Sequence, residues 1–229
     1  MQLNDVIAEL KSMGNPKAAA GMARYGIKAD RALGVSIPGL QRLAKKIGKN
    51  RKLAEDLWSS AIHEARILAC MIDDPQQITA EVLERLVNEF DSWDLCDQCC
   101  NRLFSKTPFA RQKALAWANR PEEFVKRAGF VLMAVLAVHD KKAADRQFEP
   151  FFEQIKKAAI DERNFVKKAV NWALRQIGKR NICLNKKAIA VAEEIQHLES
   201  RAARWVASDA LRELRSEKIQ KRLSGRAKR

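Results

Sequence analysis

Phe124-Val125-Lys126-Arg127-Ala128 opens an apolar stretch, and the same pattern returns as Phe165-Val166-Lys167-Lys168-Ala169, 41 residues later. A second echo pairs Ala173-Leu174-Arg175 with Ala210-Leu211-Arg212, 37 residues apart. Apolar residues follow each opening at helical rather than alternating spacing, so each copy reads as a helix. A period of about 40 residues leaves room for one further helix and two turns per unit. One such two-helix unit cannot cover its own apolar face, so successive units must stack. The reading that follows is an all-α, curved solenoid of repeated helix pairs with a concave basic face.

The rest of the chain agrees with this reading. Gly and Pro are sparse, with 9 and 6 residues among 229, and no segment sustains a period-two pattern. Turn signals stand at Gly14-Asn15-Pro16, Gly34 to Pro38, Asp73-Asp74-Pro75, Thr107-Pro108, Arg120-Pro121 and near Asn181. Asn15-Pro16 and Thr107-Pro108 place a capping side chain ahead of a first-turn proline, and Thr79 precedes Glu81 and Val82, so each marks a helix start. About a dozen short helices are expected. Residues 1–217 read as a single domain of HEAT-like repeats. Residues 218–229 have little apolar content and read as a basic, disordered tail, either a solubilising end or an arm on a ligand.

Lys and Arg number 43 against 28 Asp and Glu, a net charge of +15 with a pI near 9.8. Residues 161–229 alone hold 18 basic and 8 acidic side chains. Such an excess attracts a polyanion, and nucleic acid is the first candidate partner. Lys126, Arg127, Lys167 and Lys168 stand at matching helix starts, where unpaired backbone N–H groups also favour phosphate. Five cysteines, Cys70, Cys96, Cys99, Cys100 and Cys183, are an odd number with no secretory segment ahead of them, and they read as reduced thiols of a cytoplasmic protein. No apolar run reaches the roughly 18 residues that a membrane span requires. Cys96, Cys99 and Cys100 crowd one helix without a second Cys or His pair at zinc spacing, so neither a metal site nor a cofactor is expected.

Four segments in order resemble the HEAT-like-repeat alkylpurine DNA glycosylases of the AlkD family. The first runs through Met22-Ala23-Arg24-Tyr25 to Ala32-Leu33-Gly34-Val35-Ser36-Ile37-Pro38. The second is Ser92-Trp93-Asp94-Leu95-Cys96-Asp97, the third Lys126-Arg127-Ala128, and the fourth Phe165 to Arg175, which contains Trp172. Together they cover about residues 15 to 215. The resemblance implies that Asp97 is the catalytic carboxylate, that Trp93 and Trp172 are its aromatic partners, and that Arg127 holds a phosphate. Tyr25 matches a DNA-contact position, and Lys126, Lys167, Lys168 and Arg175 extend the basic surface. The family is known for holding the lesion in an open cleft rather than flipping it into a deep pocket. One tryptophan here stands where some relatives carry a Trp-Trp pair, and the cysteine-rich 96–100 segment is not a general family feature.

The chemistry of these residue types supports that assignment. Trp93 and Asp97 are four apart, so on a helix a π face and a carboxylate project toward one spot. An N3- or N7-alkylated purine is already cationic and leaves without a strong acid. The sugar then needs negative charge and a water, which a carboxylate supplies. Asp94, about a quarter turn from Trp93, is the rival carboxylate. Trp58, Trp117 and Trp205 read as core. The expected protein is therefore a monomeric glycosylase acting on duplex DNA that contains alkylated purines. The alternative is a HEAT-like scaffold that binds DNA or protein without chemistry.

Overall fold

The computed structural model describes residues 1–227. They form fourteen α-helices and five short 3-10 turns, with no strand among the described residues. Contacts group the described residues into two compact units, Met1–Pro108 and a second that begins at Phe109.

The first unit comprises α1 (Leu3–Ser12), α2 (Pro16–Met22), α3 (Ile37–Ile47), α4 (Arg51–Ser59), α5 (His63–Ile72), α6 (Ala80–Asn88) and α7 (Trp93–Arg102). Asn15 Oδ1 accepts from Ala18 N at 3.0 Å and Thr79 Oγ1 from Val82 N at 3.3 Å, so both expected caps start their helices. Helix α5 is the hub, packing on α3, α4 and α7. Its Glu64 is 1% exposed. That carboxylate accepts from the backbone N–H groups of Leu33 (2.8 Å), Gly34 (2.6 Å) and Val35 (3.2 Å), fixing the loop that leads into α3. Gly34 has φ of +77°, and a Cβ there would lie 2.2 Å from the Asn15 carbonyl oxygen, so only glycine fits.

The second unit comprises α8 (Ala110–Trp117), α9 (Glu123–His139), α10 (Glu149–Ala158), α11 (Asn164–Gly178), α12 (Ile182–Gln196), α13 (Arg201–Leu214) and α14 (Glu217–Ala227). The paired segments of sequence open α9 and α11, which pack side by side. Their leading phenylalanines, Phe124 and Phe165, meet with ring centroids 5.6 Å apart. One repeat further, α13 packs on α11, and buried Asn171 donates to the Val206 carbonyl at 3.1 Å. Helices α8, α10 and α12 form the other member of each pair, with α10 on α8, α11 and α12. Hydrogen bonds then step one repeat at a time, as from Arg163 back 42 residues to Pro121 and from Asn181 back 36 to Asp145. Gly129 lets α9 approach α8 closely, because a Cβ would lie 2.5 Å from Ala118 N.

Three expectations differ from the structure. Thr107 does not cap a helix; its hydroxyl donates to the Phe104 carbonyl at 2.8 Å, closing a 3-10 turn, and α8 begins at Ala110. The segment from 218, expected as a disordered tail, belongs to α14 through residue 227, because Ile219 and Leu223 are 5% and 1% exposed and anchor it. Residues 228 and 229 lie outside the described residues. The thiols are not all reduced. Cys70 on α5 and Cys99 on α7 are 29 residues apart in the chain, but the α5–α7 packing brings their Cα atoms to 5.3 Å and they form a disulfide. No helix of the described residues is long and apolar enough to cross a membrane.

Candidate functional site

In the first unit the site is built on the opening turns of α7. Leu95, Cys96, Cys99 and Cys100 are fully buried and define the inner face of this helix, leaving Trp93 and Asp97 half-buried on adjacent turns of another face. Trp93 Nε1 donates to the Tyr25 carbonyl at 2.9 Å. Tyr25 ends a 3-10 turn closed by Gly26, whose φ is +77°, and is 66% exposed. Lys28 Nζ lies 3.8 Å from Asp91 Oδ2, so the 23–28 segment is tied twice to the start of α7. Tyr25, Trp93 and Asp97, all read from the sequence as site residues, therefore share one neighbourhood.

Asp94 is turned elsewhere. Its Oδ2 lies 2.8 Å from Nε2 of His63, a buried residue at the start of α5. Burial pulls the His63 imidazolium down, but the hydrogen bond and charge of Asp94, helped by Glu64 and Asp91, leave it raised above its ordinary value. For Asp94 burial acts upward, yet His63 holds the carboxyl below its usual range. The rival carboxylate is thus occupied by an α5–α7 tie, and Asp97 is the one on the same face as Trp93.

In the second unit, Arg127 lies on the second turn of α9, only 5% exposed, and its Nη1 donates to the Phe165 carbonyl at 2.6 Å. Lys126 Nζ pairs with Asp161 at 2.9 Å, and Arg163 grips the same carboxylate at 2.6 Å. Burial pushes Asp161 up, and these two cations pull it far below the usual carboxylate range. Arg175 is paired to Glu213 at 2.6 Å. Trp172 is half-buried on α11. Lys167 Nζ sits 5.4 Å from the Trp205 ring centroid, and Lys168 is exposed. The six basic or aromatic candidates of this unit thus fall into two classes. Lys126, Arg127 and Arg175 are engaged by the fold, whereas Lys168 is exposed and Lys167 and Trp172 are partly exposed.

Trp58 and Trp117 are buried as expected, at 3% and 1% exposure, but Trp205 is 40% exposed. Helical phase was the missed signal, since Ala202, Ala203, Val206, Ala207 and Ala210 form the buried stripe of α13 and exclude position 205. With Arg201 and Arg204 exposed on the same helix and Lys167 over its ring, Trp205 gives this unit an aromatic and basic surface that the motifs did not announce. The described residues contain no cluster of His, Cys, Asp and Glu able to hold a metal.

A family model described as DNA alkylation repair enzyme matches residues 6–214. No curated protein matches. Among solved structures, one described as a new family of proteins related to the HEAT-like repeat DNA glycosylases with affinity for branched DNA structures aligns with a TM-score of 0.78. The two are 21% identical, and the alignment covers 93% of this chain and 95% of that one. That likeness assigns the HEAT-like repeat fold.

Proposed function

This chain belongs to the DNA alkylation repair enzyme family, and on that premise we propose that it is a DNA glycosylase that hydrolyses the N-glycosidic bond of cationic N3- and N7-alkylated purines. The observation that carries the reading is the shared face of Trp93 and Asp97 on α7, with the indole held in place by the Tyr25 carbonyl. The alkylated base departs as a neutral purine, leaving an oxocarbenium-like deoxyribose. Asp97 stabilises that cation and orients the attacking water, taking its proton as the new C–O bond forms. Trp93 offers a π face to the electron-poor sugar at about 0.5 to 2 kcal/mol, and Trp172 is the aromatic residue that the second unit contributes to the same proposed role. Tyr25, Lys167 and Lys168 meet the DNA directly. Lys126, Arg127 and Arg175 supply positive potential from fixed positions, with Arg127 nearest in kind to a phosphate clasp.

The test is release of 7-methylguanine and 3-methyladenine from methylated duplex DNA. Wild type is expected to release both above the spontaneous rate, and Asp97→Asn to lose about a hundredfold or more of that activity. Release at the spontaneous rate by wild type sinks the proposal.

A second reading follows from the structural relative with affinity for branched DNA. Here the scaffold binds DNA junctions and performs no chemistry. Tighter binding to a four-way junction than to a duplex of equal length, with no base release, would select it.

A further inference from the structure

The second unit holds a cavity of about 370 Å³ at the carboxyl-terminal ends of α9 and α11, roughly 15 Å along α9 from Arg127. Its lining carries four cationic side chains, Lys141, Lys179, Arg180 and Arg222, against the single carboxylate of Asp145. That carboxylate is engaged by Asn181, whose Nδ2 donates to Oδ1 at 2.8 Å. Lys179 is neutralised from behind by Glu213 at 2.7 Å. The other three cations have no ion pair among the described residues.

Arg180 is the most telling of them. Its Nη1 and Nη2 donate to the Ala137 and Ala143 carbonyls at 2.7 and 3.1 Å, and its guanidinium stacks on Phe148 with Cζ 4.3 Å from the ring centroid. The guanidinium is therefore rigid, while its buried Nε has no hydrogen-bond partner. Arg222 reaches over from α14 to donate to the Lys179 carbonyl at 3.3 Å, and Lys141 is exposed at the mouth. Holding four cations around one cavity against a single lining carboxylate is unfavourable in the apo protein, and a bound anion relieves it. The volume lies within the small-ligand range of about 300 to 1,000 Å³ and exceeds the needs of a lone inorganic ion. Helix α12, fifteen residues long, begins at Ile182 directly after the lining residue Asn181 and adds its amino-terminal dipole.

We propose that this cavity binds the phosphate group of a nucleotide, with Arg180 as the fixed floor, Lys141 and Arg222 as closing cations, and the amides of Gln176 and Asn181 beside the sugar or base. The phosphate has two possible sources, a free mononucleotide or a DNA strand. Neither requires that the glycosylase reading be right.

Lys141 and Arg222 are exposed, so their reversal leaves the core intact. The full chain is titrated calorimetrically at low salt with inorganic phosphate and with deoxyadenosine monophosphate, and by fluorescence anisotropy with an undamaged duplex. The double variant Lys141→Glu/Arg222→Glu is compared with Lys142→Glu/Lys186→Glu, which changes charge equally at exposed positions outside the lining. Mononucleotide binding that weakens roughly tenfold or more in the first variant and not in the control supports a free nucleotide. A selective loss of duplex affinity in the first variant supports a strand phosphate. Equal behaviour of the two variants toward every probe, or no measurable binding of phosphate, mononucleotide or duplex by wild type, overturns the proposal.

Discussion

Asp94 and Asp97 lie three residues apart on α7, yet their surroundings give them different work. Asp94 is half of a buried pair with His63, which fastens the start of α7 to α5. The pair has a pH signature. His63 is raised from 6.5, so its contribution to stability is complete below that value and is lost as pH climbs through the higher folded value. Asp94 is lowered from 3.8, so its contribution is present above 3.8 and is lost as pH falls through the folded value. Between 3.8 and 6.5 both are in force. Wild type is therefore expected to lose thermal stability as pH rises above 6.5, with a flatter profile in His63→Gln; parallel profiles would show that the pair is not linked to folding. At Gly34 the constraint is steric. Gly34→Ala is expected to lower unfolding free energy by roughly 2 to 4 kcal/mol in urea, because the backbone is left-handed and the Asn15 carbonyl fills the space for a Cβ. The i, i+4 relation of Trp93 and Asp97 was legible from the residues alone, since helix geometry dictates it. The fate of Asp94 was not, because its partner is 31 residues away on another helix.

Among the elements that bear candidate residues, α7 is held at three points. The His63–Asp94 pair holds its first turn, the Tyr25 carbonyl holds Trp93, and the Cys70–Cys99 disulfide holds its second half two residues beyond Asp97. Denatured but unreduced protein is expected to show three titratable thiols, those of Cys96, Cys100 and Cys183, and five after reduction. Five before reduction would remove the disulfide from the account. The repeat that opens α9 and α11 was readable because each copy must present the same apolar face to its neighbour, and Phe124 meets Phe165 accordingly. What charge alone did not reveal is how the copies use their cations. Lys126 and Arg127 bond forward to the next repeat, at Asp161 and the Phe165 carbonyl, whereas Lys168 one repeat later is exposed. Charge at a helix start thus serves as mortar between repeats in one copy and is left exposed in the next. The α14 helix was missed for a related reason, since two buried apolar residues among many charges suffice to seat it.

For the whole molecule, the net charge of +15 has to be apportioned before it can be read as a DNA footprint. Much of the positive charge is matched locally, for Asp161 and Glu213 each hold two basic side chains. The remainder includes exposed Lys168, Arg201 and Arg204 and the partly exposed Lys167 over Trp205, and it is this share that can displace counterions from DNA. If about five phosphates are engaged, the logarithm of duplex affinity should fall with the logarithm of salt at a slope near −4.5. Lys168→Ala should flatten that slope by about one, because it removes a phosphate contact, while Lys126→Ala should leave it nearly unchanged and instead lower stability through the exposed need of Asp161. Anisotropy titrations of an undamaged duplex at several salt concentrations separate the two variants. Equal slopes for both would mean that fixed and exposed cations contribute alike, and that the long-range field, rather than direct contact at the start of α11, draws the DNA in.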